Sequence, residues 1–157
     1  MRKKRISLRI LFVLVCAVLL QACSTQSNKS VAYHVDTGDS VKITVDTKAG
    51  YDLTMEVPFS ITKGDTEIIT GSFIYAEYYE VYYESVSGDA NAVILEEGSK
   101  DGNDFFFYSY DGNAGTEYNY IVMINGSNTA VIMGSLSGEE EATEAFHALT
   151  ISLEKNQ

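Results

Sequence analysis

Cys23 is the side chain whose type and position most clearly suggest chemistry. It closes the segment Leu20-Gln21-Ala22-Cys23 and is followed at once by the polar stretch Ser24-Thr25-Gln26-Ser27-Asn28. A cysteine thiolate is a good nucleophile, and the thioether it forms is stable, so a cysteine at such a junction suits covalent attachment. Other groups offer less. The two histidines, His34 and His147, are far apart in the chain, and no Gly-x-Ser-x-Gly elbow accompanies them, so no nucleophile–base pair stands out. Zinc would need Cys and His at ligand spacing, which is absent. Aspartate and glutamate number 22, and a glycosidase-like pair of carboxylates stays open as an alternative. Most of these acids fall in turns or on polar faces and read as a solvated surface. Two oxygen-rich loops, one with Asp101, Asn103 and Asp104 and one with Asp111, Asn113 and Glu117, offer calcium-type ligands without the spacing of a helix–loop–helix site. Both read as ordinary strand connections, so no metal and no cofactor is expected. The tyrosines are the remaining oddity. All eleven lie beyond residue 23, and Tyr78, Tyr79, Tyr82 and Tyr83 form a dense cluster. Tyrosine has an apolar body and a polar tip, which suits it to sheet–helix cores and to recognition of proteins or glycans.

The elements in front of Cys23 explain how it would be presented. Five of the eleven basic residues, Arg2, Lys3, Lys4, Arg5 and Arg9, precede the unbroken apolar run 10–20. A cationic start and a short apolar run are the layout of a secretory signal. The run is well below the roughly 20 residues a spanning helix needs. With Leu20 three residues before the cysteine and Ala22 just before it, the segment resembles the bacterial lipobox. That resemblance implies a diacylglyceryl thioether on Cys23, cleavage between Ala22 and Cys23, and fatty chains such as palmitate holding the chain at the outer, extracytoplasmic face of a bacterial cell membrane. One acyl chain binds marginally, whereas two make a durable anchor at about 0.8 kcal/mol per buried methylene.

Removing residues 1–22 changes the charge balance. The full chain of 157 residues carries a net charge of −11. Residues 23–157 keep six lysines and no arginine against all 22 acids, a net charge of −16. Such a body is repelled by anionic membranes and by nucleic acid, which needs clustered Lys and Arg. Only two cysteines are present, and Cys16 lies inside the leader, so a disulfide scaffold is excluded.

Residues 24–31 are small and polar and read as a flexible tether with a reach of roughly 15 Å. No later linker or repeat divides the chain, so residues 32–157 are expected to form one domain. Short alternating segments dominate it. Residues 41–45 alternate apolar and polar, 46–50 read as a turn, and 51–61 with 66–75 suggest a strand pair. Further strands are expected at 92–96, 104–110, 117–125 and 129–136, separated by Asp/Asn/Gly clusters. Asn125-Gly126 between two such runs is a hairpin signal, because both residues tolerate positive φ. Residues 76–86 carry Glu77, Glu80 and Glu84 at helical spacing and read as a helix, with a long strand as the alternative. Ser137-Gly138-Glu139-Glu140 matches a capping box. Ala142, Ala145, Phe146, Leu149 and Leu153 then recur along one helical face, predicting a terminal helix over 139–154.

The expectation is therefore an α+β fold: an antiparallel sheet of about six to eight strands, with a mid-chain helix and a C-terminal amphipathic helix packed on it. The ending Ala130-Val131-Ile132-Met133-Gly134-Ser135-Leu136-Ser137, followed by the terminal helix, resembles the PsbP/DcrB-like lipoprotein domains. The likeness covers about the last forty residues and implies no catalytic residue. The function expected is a non-enzymatic binding or accessory module of the cell envelope, its partners the membrane through Cys23 and a protein or a glycan. The alternative is a small envelope hydrolase using paired carboxylates.

Overall fold

A computed structural model describes residues 27–154. Its elements run β1 (Asn28–His34), β2 (Ser40–Asp46), β3 (Tyr51–Leu53), β4 (Phe59–Lys63), β5 (Thr66–Tyr75), α1 (Tyr78–Gly88), β6 (Ala92–Lys100), β7 (Asn103–Gly112), β8 (Gly115–Met123), β9 (Thr129–Ser135), α2 (Glu139–His147) and β10 (Leu149–Leu153). Two antiparallel sheets result. One has three strands in the order β1-β2-β10, and the other has seven in the order β3-β4-β5-β9-β8-β7-β6. Sheet dominates, and the helices are short, 11 and 9 residues.

The main core lies between the sheets. In β2, Val41, Ile43 and Val45 point inward while Lys42 and Thr44 face out, the alternation of a half-buried strand. Strand β7 breaks that pattern, because Phe105, Phe106, Phe107 and Tyr108 are all buried. Its two faces serve two cores. Phe105 and Phe107 join the inter-sheet core, whereas Phe106 and Tyr108 join a smaller cluster with Tyr79, Val86 and Ile121 under α1. A strand covered on both faces reads as a continuous apolar run. Helix α2 lies on the inter-sheet side, where Phe146 stacks on Tyr120 at 3.9 Å and 13°, and Tyr120 stacks on Phe107 at 4.1 Å and 10°. The smaller sheet is tied to the β6–β7 turn, where Lys100 Nζ donates to the Leu149 carbonyl and Asn103 Nδ2 to that of Ile151.

Several expectations hold. The mid-chain helix is present, and β8 and β9 form the hairpin around Gly126, whose φ is 79°. Others are corrected. Strand β1 begins at Asn28, so residues 28–31 are paired with β2 rather than serving as tether. The apolar faces of Val31 and Tyr33 supply the reason, since both are buried against the core. The single strand expected over 51–61 is two strands, interrupted around Pro58, which has no N–H to give to a ladder. The larger sheet has seven strands, within the six to eight expected, but a second, three-stranded sheet joins it, in which β10 replaces the second half of the terminal helix.

That helix ends at His147, and Leu149, Ile151 and Leu153 lie along a strand that pairs with β2. The capping box is also absent. Gly138 occupies the N-cap position at φ 113°, and Ser137 Oγ turns instead to the Glu67 carbonyl at 3.4 Å. Cys23 lies outside the described residues.

Candidate functional site

Helix α1 carries the tyrosine cluster and divides it. Tyr79, Tyr83 and Val86, at i, i+4 and i+7, face the sheet. Tyr79 and Tyr83 meet the ring of Phe106 edge-on at 5.3 and 5.4 Å, with interplanar angles of 72° and 87°. Such edge-to-face pairs place a ring's positive edge against the negative face of its neighbour. Tyr83 also donates its hydroxyl to Glu97 Oε1 at 2.9 Å, and that carboxylate holds the Tyr83 phenol above its ordinary value. Burial pushes Tyr79 up to about 12, helped by the charges of Asp104, Glu80 and Glu97. The other pair, Tyr78 and Tyr82, points outward beside Val81, which is 57% exposed. Two of the four residues are thus packing groups, and two belong to an exposed face.

The same division runs through the buried tyrosines elsewhere. Tyr33, Tyr108 and Tyr120 are each pushed up to about 12, mainly by burial. These phenols stay protonated at any physiological pH and offer no base.

One pair of carboxylates shares a cavity. Glu67 and Glu117 line a cavity of about 440 Å³ beside Thr70, Ser135 and Ser137. Glu67 accepts hydrogen bonds from Ser60 and Thr70, which hold its carboxyl below the usual range. A general acid needs the opposite shift. The oxygen-rich loops are also committed. Asn103 Oδ1 accepts from the Asn125 N–H while Asn103 Nδ2 donates to Ile151, and Asp111 Oδ1 accepts from Thr116 at 2.7 Å. Asn103 and Asp111 stand at opposite ends of β7, eight residues apart, or about 27 Å at 3.4 Å per residue. Among the described residues no group of three His, Cys, Asp or Glu is placed to hold a metal. His34 ends β1 and His147 ends α2, both on the surface.

A second cavity, of about 420 Å³, was not foreseen. It is lined by His34, Asp36 and Thr37 on one side, Val57 on another, and the consecutive residues 72–75 of β5. An adjoining cavity of about 360 Å³ shares Thr37 and Tyr75 and continues to Glu77 at the start of α1. The signal in the sequence was a mismatch of lengths: the run over residues 66–75 is long, while the segment opposite it is broken by Pro58.

Comparison with models of known protein families and with curated proteins finds no match for this chain.

Proposed function

We propose that this chain is a lipid-anchored, extracytoplasmic module of a bacterial cell envelope, with a binding or accessory role rather than a catalytic one. The observation that carries this reading is the position of Cys23 at the end of the apolar run 10–20, behind five cationic residues. The anchor is the diacylglyceryl thioether of Cys23, and the partner beyond the membrane is a protein or a glycan.

Two features of the folded domain support the reading. Strand β1 begins at Asn28, five positions after Cys23, so an extended chain places the start of the domain within about 18 Å of the sulfur at 3.6 Å per residue. The Ser27 carbonyl accepts from the Thr47 N–H at 2.9 Å, which makes the turn over 46–50 the rim nearest the anchor. Among the described residues no helix is long and apolar enough to cross a membrane. On this reading attachment depends on the lipid alone. The low Glu67 carboxyl does not suit the general acid of the hydrolase alternative.

The order of β9 and α2 keeps the PsbP/DcrB-like likeness as part of the proposal, although β10 departs from the terminal helix on which it was based.

The test is Cys23→Ser, read by membrane fractionation, incorporation of labelled fatty acid and intact mass of the native protein. The wild type should carry a glyceride at Cys23 and lack residues 1–22, and the variant should lose both the label and the membrane association. Native protein that retains residues 1–22 with an unmodified thiol would refute the proposal.

A further inference from the structure

We infer that the open edge of β5 is a docking site for an extended, basic peptide segment, which would add to the larger sheet as a further strand in line with β4. This names the kind of partner for the binding role proposed above and rests on that reading.

The hydrogen-bond register carries the inference. Strand β5 pairs with β9 all the way to Tyr75↔Thr129, but its pairing with β4 ends at Phe59↔Gly71. Residues 72–75 therefore have a neighbour on one side only, and among the described residues no backbone bond reaches them from the other. The cavity geometry agrees. Successive side chains of a strand point to opposite faces, so a cavity touching four consecutive residues has to run along the strand's edge rather than over one face. Unpaired strand edges are templates for another strand, and natural proteins usually blunt them. Here the edge lies in a cleft of about 420 Å³ between Val57 and the β1–β2 turn.

The chemistry of the walls selects the occupant. Main-chain donors and acceptors along 72–75 ask for an extended backbone, a need that a glycan does not meet. Val57 (52% exposed) and Tyr75 (48%) give an apolar rim for alternate side chains. Asp36 lies on the far wall, Glu77 lines the adjoining cavity and Glu56 precedes Val57, while among the described residues no lysine or arginine lines either cavity. The complement is a segment alternating apolar and basic residues.

The experiment uses the purified full chain in detergent and a blocked six-residue peptide alternating lysine and valine, with the glutamate–valine counterpart as control. Hydrogen exchange should show slower amides within 72–75 on adding the basic peptide, and binding should saturate. Asp36→Lys, at an exposed position, should weaken binding about fivefold, with unchanged thermal unfolding. A peptide that leaves 72–75 unprotected in a folded protein overturns the inference. So does binding of both peptides equally, or protection of 72–75 that rises with protein concentration alone, which would identify a second copy of the chain as the occupant. The Cys23→Ser form should bind the peptide as the wild type does, so a failed anchor and a failed docking site give different results.

Discussion

Gly71→Ala tests the packing at the point where β4 leaves β5. Gly71 and Phe59 are cross-strand partners, and the Phe59 ring lies over the glycine. A Cβ built on Gly71 would sit 2.2 Å from Phe59 Cζ and 2.7 and 2.8 Å from its two Cε atoms. Restoring ordinary contact near 3.4 Å moves the ring edge by more than 1 Å. Phe59 is fully buried, with Tyr33 and Phe73 at ring distances of 5.6 Å, so it has little room to yield. Overpacking of this kind costs about 1–3 kcal/mol. The opposing gain, from the smaller conformational entropy of alanine in the unfolded chain, is about 0.4–1 kcal/mol. At the middle of those two ranges the net expectation is a loss of about 1.3 kcal/mol. In a Phe59→Leu background the contact disappears, and the same substitution should be neutral or slightly stabilising. Urea unfolding of the four proteins gives the coupling directly from shifts in midpoint at constant slope. A wild-type Gly71→Ala protein as stable as its parent, or equal effects in both backgrounds, would refute the reasoning and the placement of Phe59 across the strand pair.

Ile151→Ala separates strand from helix at the C-terminus. Ile151 is 3% exposed in β10, so the substitution should cost about 2–4 kcal/mol in urea unfolding, whereas a helix with Leu149 and Leu153 inward would put Ile151 in solvent at little cost. The tyrosines set the alkaline limit of the fold. Tyr33, Tyr79, Tyr108 and Tyr120 are held at about 12 in the folded chain against 10 in the unfolded one. Their contribution to stability is complete below pH 10 and is lost as the pH rises toward 12, because the unfolded chain ionises first. Phenolate absorbance should therefore rise together with unfolding in that window, and independent titration of these residues near pH 10 in a still folded protein would contradict their burial.

What the sequence made legible depended on whether local pattern and tertiary demand agreed. They agreed at Val41-Lys42-Ile43-Thr44-Val45, at the Asn125-Gly126 hairpin and along α1, where Tyr79, Tyr83 and Val86 share the inward face. At the C-terminus the pattern was ambiguous for a physical reason. A spacing of four residues suits both the helical period of 3.6 and the strand period of 2, so Leu149 and Leu153 fit either. Ile151, two residues from each, fits only the strand, and it sits beside the β-branched Thr150. Strand β6 was read only to residue 96 because Glu96, Glu97, Gly98 and Ser99 have low strand propensity. It is extended to Lys100 by pairing with β7, with an irregularity between Ile94 and Glu96 and with Gly98 opposite Phe105, whose ring a Cβ at Gly98 would meet at 3.2 Å. The tyrosine cluster was visible as a cluster, but the choice of which two rings to bury is made by Phe106 across the sheet. The cleft beside β5 was missed because taking 51–61 as one strand left no edge open.

The fold also explains why exposed apolar groups are informative at that cleft. Four consecutive buried aromatics in β7 require cover on both faces of the larger sheet, and α1, eleven residues or about 16 Å long, covers only part of one face. Beyond its reach the outer face of β4 and β5 is made polar, with Ser60 and Thr70 both donating to Glu67. Solvent is thus met by hydroxyls and a carboxylate along this part of β4 and β5. Met55, Val57 and Tyr75, at 78, 52 and 48% exposure, depart from that rule at the end of the sheet where β5 has lost its neighbour. Their exposure gives no stability to the isolated chain, and an open strand edge beside them carries a risk of unwanted pairing. Both features gain a purpose together, when an extended segment occupies the cleft.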